Sequence, residues 1–405
     1  MAQRSRQIIV AGGGIAGLTA GIALARQGFP VRLFERTAQP VATGAGLQIS
    51  PNATRLLERL GVLAPLRGVS VQPEAVSLRD AATLAEIGRV PLGDAAERRW
   101  GAPYLVAHRA DLHAALAARA AQTPGLDIEH GVAVWDAAFH SYGCTVSVDR
   151  NGRVEEHGAA LLVAADGVWS PLRQALLGTA SRFSGRVAWR AMLRDGQAAA
   201  SLGIDAELVT TFVHPAAHLV AYPVRGGEAV NLVAITRAAA PEPGWSASTS
   251  IEPLRIALAG AAPALRALIE GAAPWTAWPI HRVDGKAPWV KPVGAVLIGD
   301  AAHAMTPFAA QGAAAAIEDG WTLAAVLALE PDDLPAALAR YEALRRPRLR
   351  TMARRAVFNE FAWHASGIVA QVRNRVLDWR GPDRLAADLD GLYGYDAQAA
   401  VTAAP

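Results

Sequence analysis

Residues 8–28, IIVAGGGIAGLTAGIALARQG, constrain this chain more than any other stretch. They follow a basic start, MAQRSRQ, and residues 8–25 carry no charge. A basic leader before an apolar run and small residues is the outline of a secretory signal, and about 18 uncharged residues approach the lower limit for a membrane helix. Gly12, Gly13 and Gly14 argue against both, because each Gly weakens a helix by roughly 1 kcal/mol relative to Ala. The alternative uses every residue. Residues 8–11 form a short buried strand, Gly12, Gly14 and Gly17 supply G-x-G-x-x-G, and 18–27 continue as a helix ended by Gly28. Residues 31–34 form the second strand, with Glu35 at its end, 18 residues beyond Gly17. The first Gly makes a tight turn, the second admits a pyrophosphate, and the third packs helix on strand. Amides at the helix N-terminus hold the anion, and the terminal carboxylate accepts from ribose hydroxyls. The stretch reads as a phosphate cradle.

Composition places few further limits. The chain has 405 residues, 52% hydrophobic and 19% charged, which is a globular balance long enough for two domains. A net charge of +3, with no basic block interleaved with aromatics, carries no nucleic-acid signature. The one cysteine, Cys144, excludes an intramolecular disulfide and a CxxC pair, and a reducing cytoplasm is the expected compartment. The histidines show neither H-E-x-x-H nor H-x-x-E-H spacing, so no metal is expected.

A first βαβ unit cannot choose between flavin and nicotinamide, since the ribose acid serves both. Two later corners bear on the choice. In GAVLIGDAAHAMTPFAAQGAAAAIEDGWTLAAVLA (294–328), an apolar strand runs to Gly299-Asp300, a loop holds Pro307, and Gly312 opens an Ala-rich helix. An acid at a strand end can accept from a sugar alcohol, and the helix N-terminus can stabilise negative charge. In LLVAADGVWSPLRQALLG (161–178), another strand ends in Asp166-Gly167, with Ser170 placed as N-cap and Pro171 in the first helical turn.

With these three corners the chain resembles the single-component, class A FAD-dependent aromatic hydroxylases of the salicylate hydroxylase and 3-hydroxybenzoate 6-hydroxylase type. GAGLQISPNATRLLERLGVL (44–63), HRADLHAAL (108–116), HLVAYPVRGGE (218–228) and LARYEALRRPR (338–348) extend the resemblance over nearly the whole chain. It implies an α/β fold: a Rossmann-like FAD-binding domain of the glutathione-reductase and para-hydroxybenzoate-hydroxylase kind, an antiparallel-sheet substrate domain and a C-terminal helical segment. The expected divisions are 1–75, 100–178 and 286–333 for FAD, 76–99 and 179–285 for substrate, and 334–405 for the helices. Gly12, Gly14, Gly17, Glu35 and the adjoining Arg36 would hold the ADP half of FAD. Arg109 would reach the phosphate or ribityl region and Asp300 the ribityl chain, with Pro307 and Gly312 beside the isoalloxazine. Asp166-Gly167 matches the family fingerprint associated with FAD and NAD(P)H, and Gln48 and Asn52 are expected to border the flavin. No second G-x-G-x-x-G is present, which suits a nicotinamide that visits without its own Rossmann domain.

The resemblance further implies NADH or NADPH as transient co-substrate and O2 activation as a flavin C4a-hydroperoxide. An electron-rich phenol then needs a positioned base. Residues 180–285 alternate as strands, and in HLVAY His218, Val220 and Tyr222 share one face. His218 and Tyr222 would stand ~13 Å apart along the strand, able to grip different parts of one ring. Spacing alone would leave them a buried His and a sheet Tyr. The family match makes His218 the base and Tyr222 a positioning residue. His214 is a substitute for that role, and Arg190 a ligand for a substrate carboxylate or the partner of an acid across the sheet. His303 is as readily a packing residue as an active one. Pro307 stands where some 3-hydroxybenzoate enzymes carry a polar residue, which leaves the position of hydroxylation open.

The expected activity is therefore hydroxylation of a phenolic or hydroxylated heteroaromatic acid. The alternatives are epoxidation, decarboxylative hydroxylation or N-oxidation of a larger metabolite, and a non-catalytic flavin sensor. A monomer or homodimer without a membrane span is expected. The arginines of 340–355 read as a solvated helix face, and 396–405 as a frayed tail.

Overall fold

The computed structural model describes residues 6–39, 46–141, 143–193, 204–239, 250–272 and 274–403. Gly44 and Ala45 of the GAG turn lie outside them.

The apolar run at the start of the chain becomes the centre of a six-stranded sheet. Ile8–Ala11 is flanked in parallel by Val31–Glu35 and Leu161–Ala164, and these in turn by Leu126–His130 and Ala295–Leu297. A two-residue antiparallel strand, Val290–Lys291, closes one edge. Four-residue runs such as Ile8–Ala11 and Leu161–Ala164 are buried throughout, because a parallel sheet is covered on both faces. The helix Ile15–Arg26 covers one face and packs against Gly312–Leu329. It begins directly after Gly14, three residues earlier than the sequence suggests, so Gly17 lies inside its first turn. Ser170 and Pro171 open the helix Pro171–Leu177 as expected, the Ser170 hydroxyl accepting from the Arg173 amide at 2.8 Å.

The second large sheet has seven strands in the order Thr276–Arg282, Arg182–Leu193, Ala229–Arg237, Ala217–Val224, Leu208–His214, Ala75–Asp80 and Glu86–Pro91. Its hairpins are antiparallel, but Leu208–His214 and Ala75–Asp80 run parallel. Those two strands come from separate excursions of the chain, and a parallel neighbour requires such a long connection. One face, with Leu219, Ala221, Leu232 and Ala234, packs on the helices Glu252–Ala257 and Pro263–Gly271 in one apolar cluster. The other face looks toward the six-stranded sheet. A three-stranded antiparallel sheet (Ala133–His140, Gly143–Arg150, Arg153–Ala159) and a short ribbon (Gly46–Ile49 with Leu105–His108) complete the layers.

Two expectations for the C-terminal region are corrected. Arg345 and Arg348 do not face solvent: on the helix Leu334–Trp363 they are buried against Glu318 and Asp319. The tail is not frayed over its described part either. Asp396 accepts two bonds from Arg59 at 2.7 Å, Gln398 accepts from Trp321, and Ala397–Ala403 is a helix that buries Ala397 and Val401. Residues 404 and 405 lie outside the described residues. Among the described residues one helix, Gly312–Leu329, is long and apolar enough to cross a membrane, and 67% of it is buried in the protein core.

Candidate active site

The cradle is built at the C-terminal ends of the parallel strands. Gly12 has φ +107°, and a Cβ there would stand 2.5 Å from the Ala165 carbonyl oxygen. A Cβ on Gly17 would stand 1.9 Å from the Gly12 carbonyl oxygen, so helix, turn and strand approach as only Gly allows. Gly14, by contrast, faces open space, with nothing within 4 Å of a Cβ. Glu35 accepts from the Gly13 amide at 2.6 Å and the Thr37 amide at 2.8 Å. Burial raises its pKa, but those amides and Arg36 outweigh it and keep the carboxylate below its ordinary value. Arg36 itself is exposed. The Gly13 carbonyl meets His113 Nε2 at 2.8 Å, a strut that the sequence reading missed. Its signal is the one-turn spacing from Arg109, which is exposed at the first position of the helix Arg109–Ala121.

The second and third corners are fastened together. Asp166 accepts from the Leu172 amide through one oxygen, while Oδ1 is buried with no partner among the described residues. Burial raises the Asp166 pKa above the ordinary carboxylate value, as suits a site awaiting a donor. Gly167 beside it has φ +82°. Arg173 donates to the carbonyls of Ala301 and Ala302 at 2.5 and 2.6 Å, tying this corner to Asp300. Asp300 is exposed at the start of the turn Asp300–His303. His303 is tied into the core: its Nε2 donates to Asp319 at 2.5 Å, and Asp319 also accepts from the Gly299 amide and from Arg345. Burial raises the Asp319 pKa, but His303 and Arg345 reverse that and bring it down to about 2.

The loop after Asp300 carries exposed Pro307, buried Phe308 and then Gln311 ahead of the helix at Gly312. Gly312 again faces open space. Gln311 donates to Ser50 and accepts from Asn52, and Asn52 donates to Glu318 at 2.7 Å. Asn52 therefore locks this loop from behind. Gln48 accepts from the Tyr104 hydroxyl at 2.6 Å. Glycines facing open space at two helix N-termini, and a buried carboxylate oxygen without a partner among the described residues, fit the phosphates and sugar of a flavin dinucleotide.

Strand register arranges the facing sheet. Directly opposed residues share a face, so Trp278, Ala188, Ile235 and His218 form one row. Thr276, Arg190, Val233 and Val220 form the next, and Met192, Asn231 and Tyr222 the third. His218, 1% exposed, lies 5.2 Å from the Phe308 ring and 4.9 Å from the Trp363 ring, centroid to centroid. Its Nδ1 is 3.1 Å from His364 Nε2. Burial, then His364 and Arg186, push its pKa well below the ordinary histidine value, so it is neutral at pH 7. Ala188, Ile235, Phe308, Ala309 and Ala356 wall this end of the face with Trp278 and Trp363.

Arg190 lies one row along. Its guanidinium is 5.5 Å from the Trp278 ring, and its Nε is buried without a partner among the described residues. No acid across the sheet pairs with it among those residues. Burial lowers its pKa, Tyr222 opposes that, and Arg109 adds to it. Tyr222 is buried against Gly46, where a Cβ would stand 2.4 Å from its ring, and Gly46 donates to Asn231 at 2.8 Å. Burial raises the Tyr222 pKa, so the phenol stays protonated. A cavity of about 300 Å³ opens beside this third row, lined by His108, Met192, Arg225, Glu228 and Ala229.

His214 does not join these rows. It ends its strand one residue out of phase with Val213, which opposes His218, and it faces Gly260 on the helix-covered side. It is off the His218 face, although near enough to His364 to lower that group's pKa, and its place as a substrate residue is withdrawn because it does not share the face of the three rows.

A family model described as an FAD binding domain matches residues 5–356. A 3-hydroxybenzoate 6-hydroxylase of Polaromonas naphthalenivorans is 34% identical over 390 residues, 96% of each chain. A 3-amino-4-hydroxybenzoate 2-monooxygenase of Streptomyces platensis, PtnB3, is also 34% identical over 96% of each. The crystal structure of Klebsiella pneumoniae HpxO complexed with FAD and uric acid superposes with a TM-score of 0.81 at 25% identity, again over 96% of each chain. A cradle shaped for FAD, a family match over most of the sequence and full-length relatives together place the chain: it belongs to the FAD-dependent aromatic hydroxylases, the single-component flavoprotein monooxygenases.

Proposed function

We propose that this monooxygenase hydroxylates a phenolic or hydroxylated heteroaromatic carboxylic acid, with NADH or NADPH as reductant and O2 as co-substrate. The observation that carries the reading is the shared sheet face. A buried neutral His218 and an Arg190 whose Nε is buried without a hydrogen-bond partner among the described residues stand in adjacent rows, with Tyr222 in the next. Relatives of matching length act by name on hydroxybenzoates, and one more, from Bordetella bronchiseptica, on 6-hydroxynicotinate.

FAD, when bound, supplies the activated oxygen. Gly12, Gly14, Gly17 and the following helix would hold its pyrophosphate, Glu35 its ribose, and Arg36 and Arg109 its outer charges. Asp166-Gly167 and Asp300 would take the remaining hydroxyls, and Gln48, Pro307 and Gly312 would border the ring. The chain's own residues do the rest. Arg190 grips the substrate carboxylate and Tyr222 orients the ring. His218 accepts the phenolic proton at Nε2, making the ring electron-rich, while the apolar wall around Phe308 and Trp363 excludes water.

Ligand binding tests the assignment. Perturbation of the flavin spectrum by 3-hydroxybenzoate, compared with phenol, reports the carboxylate contact. Arg190→Met is expected to weaken 3-hydroxybenzoate by roughly 10-fold to 100-fold, a charged hydrogen bond's worth, and to leave phenol unchanged. Equal losses for both ligands would remove Arg190 from the substrate.

A further inference from the structure

His218 is not alone: the only ring nitrogen within hydrogen-bonding distance of it among the described residues is His364 Nε2, at 3.1 Å from Nδ1. His364 ends the long helix Leu334–Trp363, which also holds the active-site loop through a 2.8 Å bond from Asn359 to the Phe308 carbonyl. His218 is buried, whereas His364 is part-exposed, so the pair spans from the apolar chamber toward solvent.

Two facing imidazole nitrogens can share only one proton, and which ring carries it decides what His218 can do. If His218 Nδ1–H donates to His364, His218 Nε2 has a lone pair and can accept a proton. If His364 Nε2–H donates to His218, His218 Nε2 holds a hydrogen and cannot act as a base. His218 is therefore competent only while His364 accepts from it.

We propose that His364 is a positioning residue that fixes this tautomer and relays the phenolic proton from His218 to solvent. The proposal rests on the reading of His218 as the base. The phenol O–H bond breaks as His218 Nε2–H forms. His218 Nδ1–H then breaks as His364 Nε2–H forms, and His364 releases its Nδ1 proton to water. No electrons are transferred and the pair ends neutral but in its other tautomer, which return of a proton through the same two bonds resets as the product leaves. The groups facing the pair disfavour storing the proton there. Arg186 lies beside both rings, ion-paired to Glu360, while Arg237 and His214 lie on the His364 side. Burial, with those cations, lowers the His364 pKa to about 4.

The test is stopped-flow mixing of the FAD-loaded enzyme with 3-hydroxy-4-nitrobenzoate, whose phenolate is coloured, below the probe's own pKa. In wild type the bound probe is expected to ionise. In His364→Ala the ionisation should slow by about tenfold or more, and added imidazole should restore the rate. His364→Gln should be slow without rescue. Retained flavin absorbance keeps misfolding apart from loss of the relay. An unchanged rate in both variants, with ionisation still lost in His218→Asn, would overturn the relay and leave His218 as base. Failure of the wild type to ionise the bound probe, or full ionisation in His218→Asn, would overturn the base reading and the relay with it.

Discussion

A glycine can be required by the chain or by the ligand, and the cradle contains both kinds. Gly17 has no room for a Cβ against the Gly12 carbonyl, whereas Gly14 has open space in front of it. Gly17→Ala should therefore lower stability by roughly 1–3 kcal/mol, as overpacking does, and lose FAD as well. Gly14→Val should keep its melting temperature without cofactor and lose FAD affinity alone. Thermal unfolding of the apo variants beside flavin retention separates the two. The histidine pair makes a second prediction at this scale. A folded pKa below the unfolded one gives stability that is present above the unfolded value and lost as pH falls through the folded value. For His364 that window runs from 6.5 down to about 4. Wild type should lose melting temperature across it more steeply than His364→Gln, and parallel curves would contradict the pair's burial. The residues of the cradle were legible because each obeys a local rule of spacing. His364 was not, since nothing in FAWHASG reveals that strand register brings His218 against it, 146 residues away.

Elements show the same division. Short apolar strands ending in Gly or Asp, and Ser170-Pro171 at a helix start, follow from local propensity and capping. The fate of the arginine-rich helix does not. Its charge run looks like a solvated face, yet Arg345 is fully buried and bonds Asp319 at 2.8 Å and Glu318 at 2.6 Å. The acids that bury it lie in the adjacent Glu318-Asp319 pair on a helix that otherwise reads as an alanine-rich core element. Arg345→Met leaves two carboxylates without that partner and should cost about 3–5 kcal/mol, measured by denaturant unfolding. Because Asp319 also holds His303 and the Gly299 amide, flavin affinity should fall with stability. Gly312→Val offers the contrast: the opening at this helix start is clear of protein atoms, so the fold should persist while flavin is lost.

At the scale of the whole molecule, the cradle lies on the six-stranded sheet and the His218, Arg190 and Tyr222 rows on the seven-stranded one. This architecture was legible through family likeness, not through periodicity, because which strand neighbours which is a long-range property. The parallel junction between Ala75–Asp80 and Leu208–His214 illustrates the limit, as does the docked tail held by Asp396 and Gln398. The most direct measurement is turnover by the FAD-loaded protein with NADH or NADPH over a panel of hydroxybenzoates and hydroxynicotinates, counting hydroxylated product and peroxide together. A panel member should accelerate reductant oxidation and emerge hydroxylated with little peroxide. Reductant oxidation unaffected by every member would contradict the account.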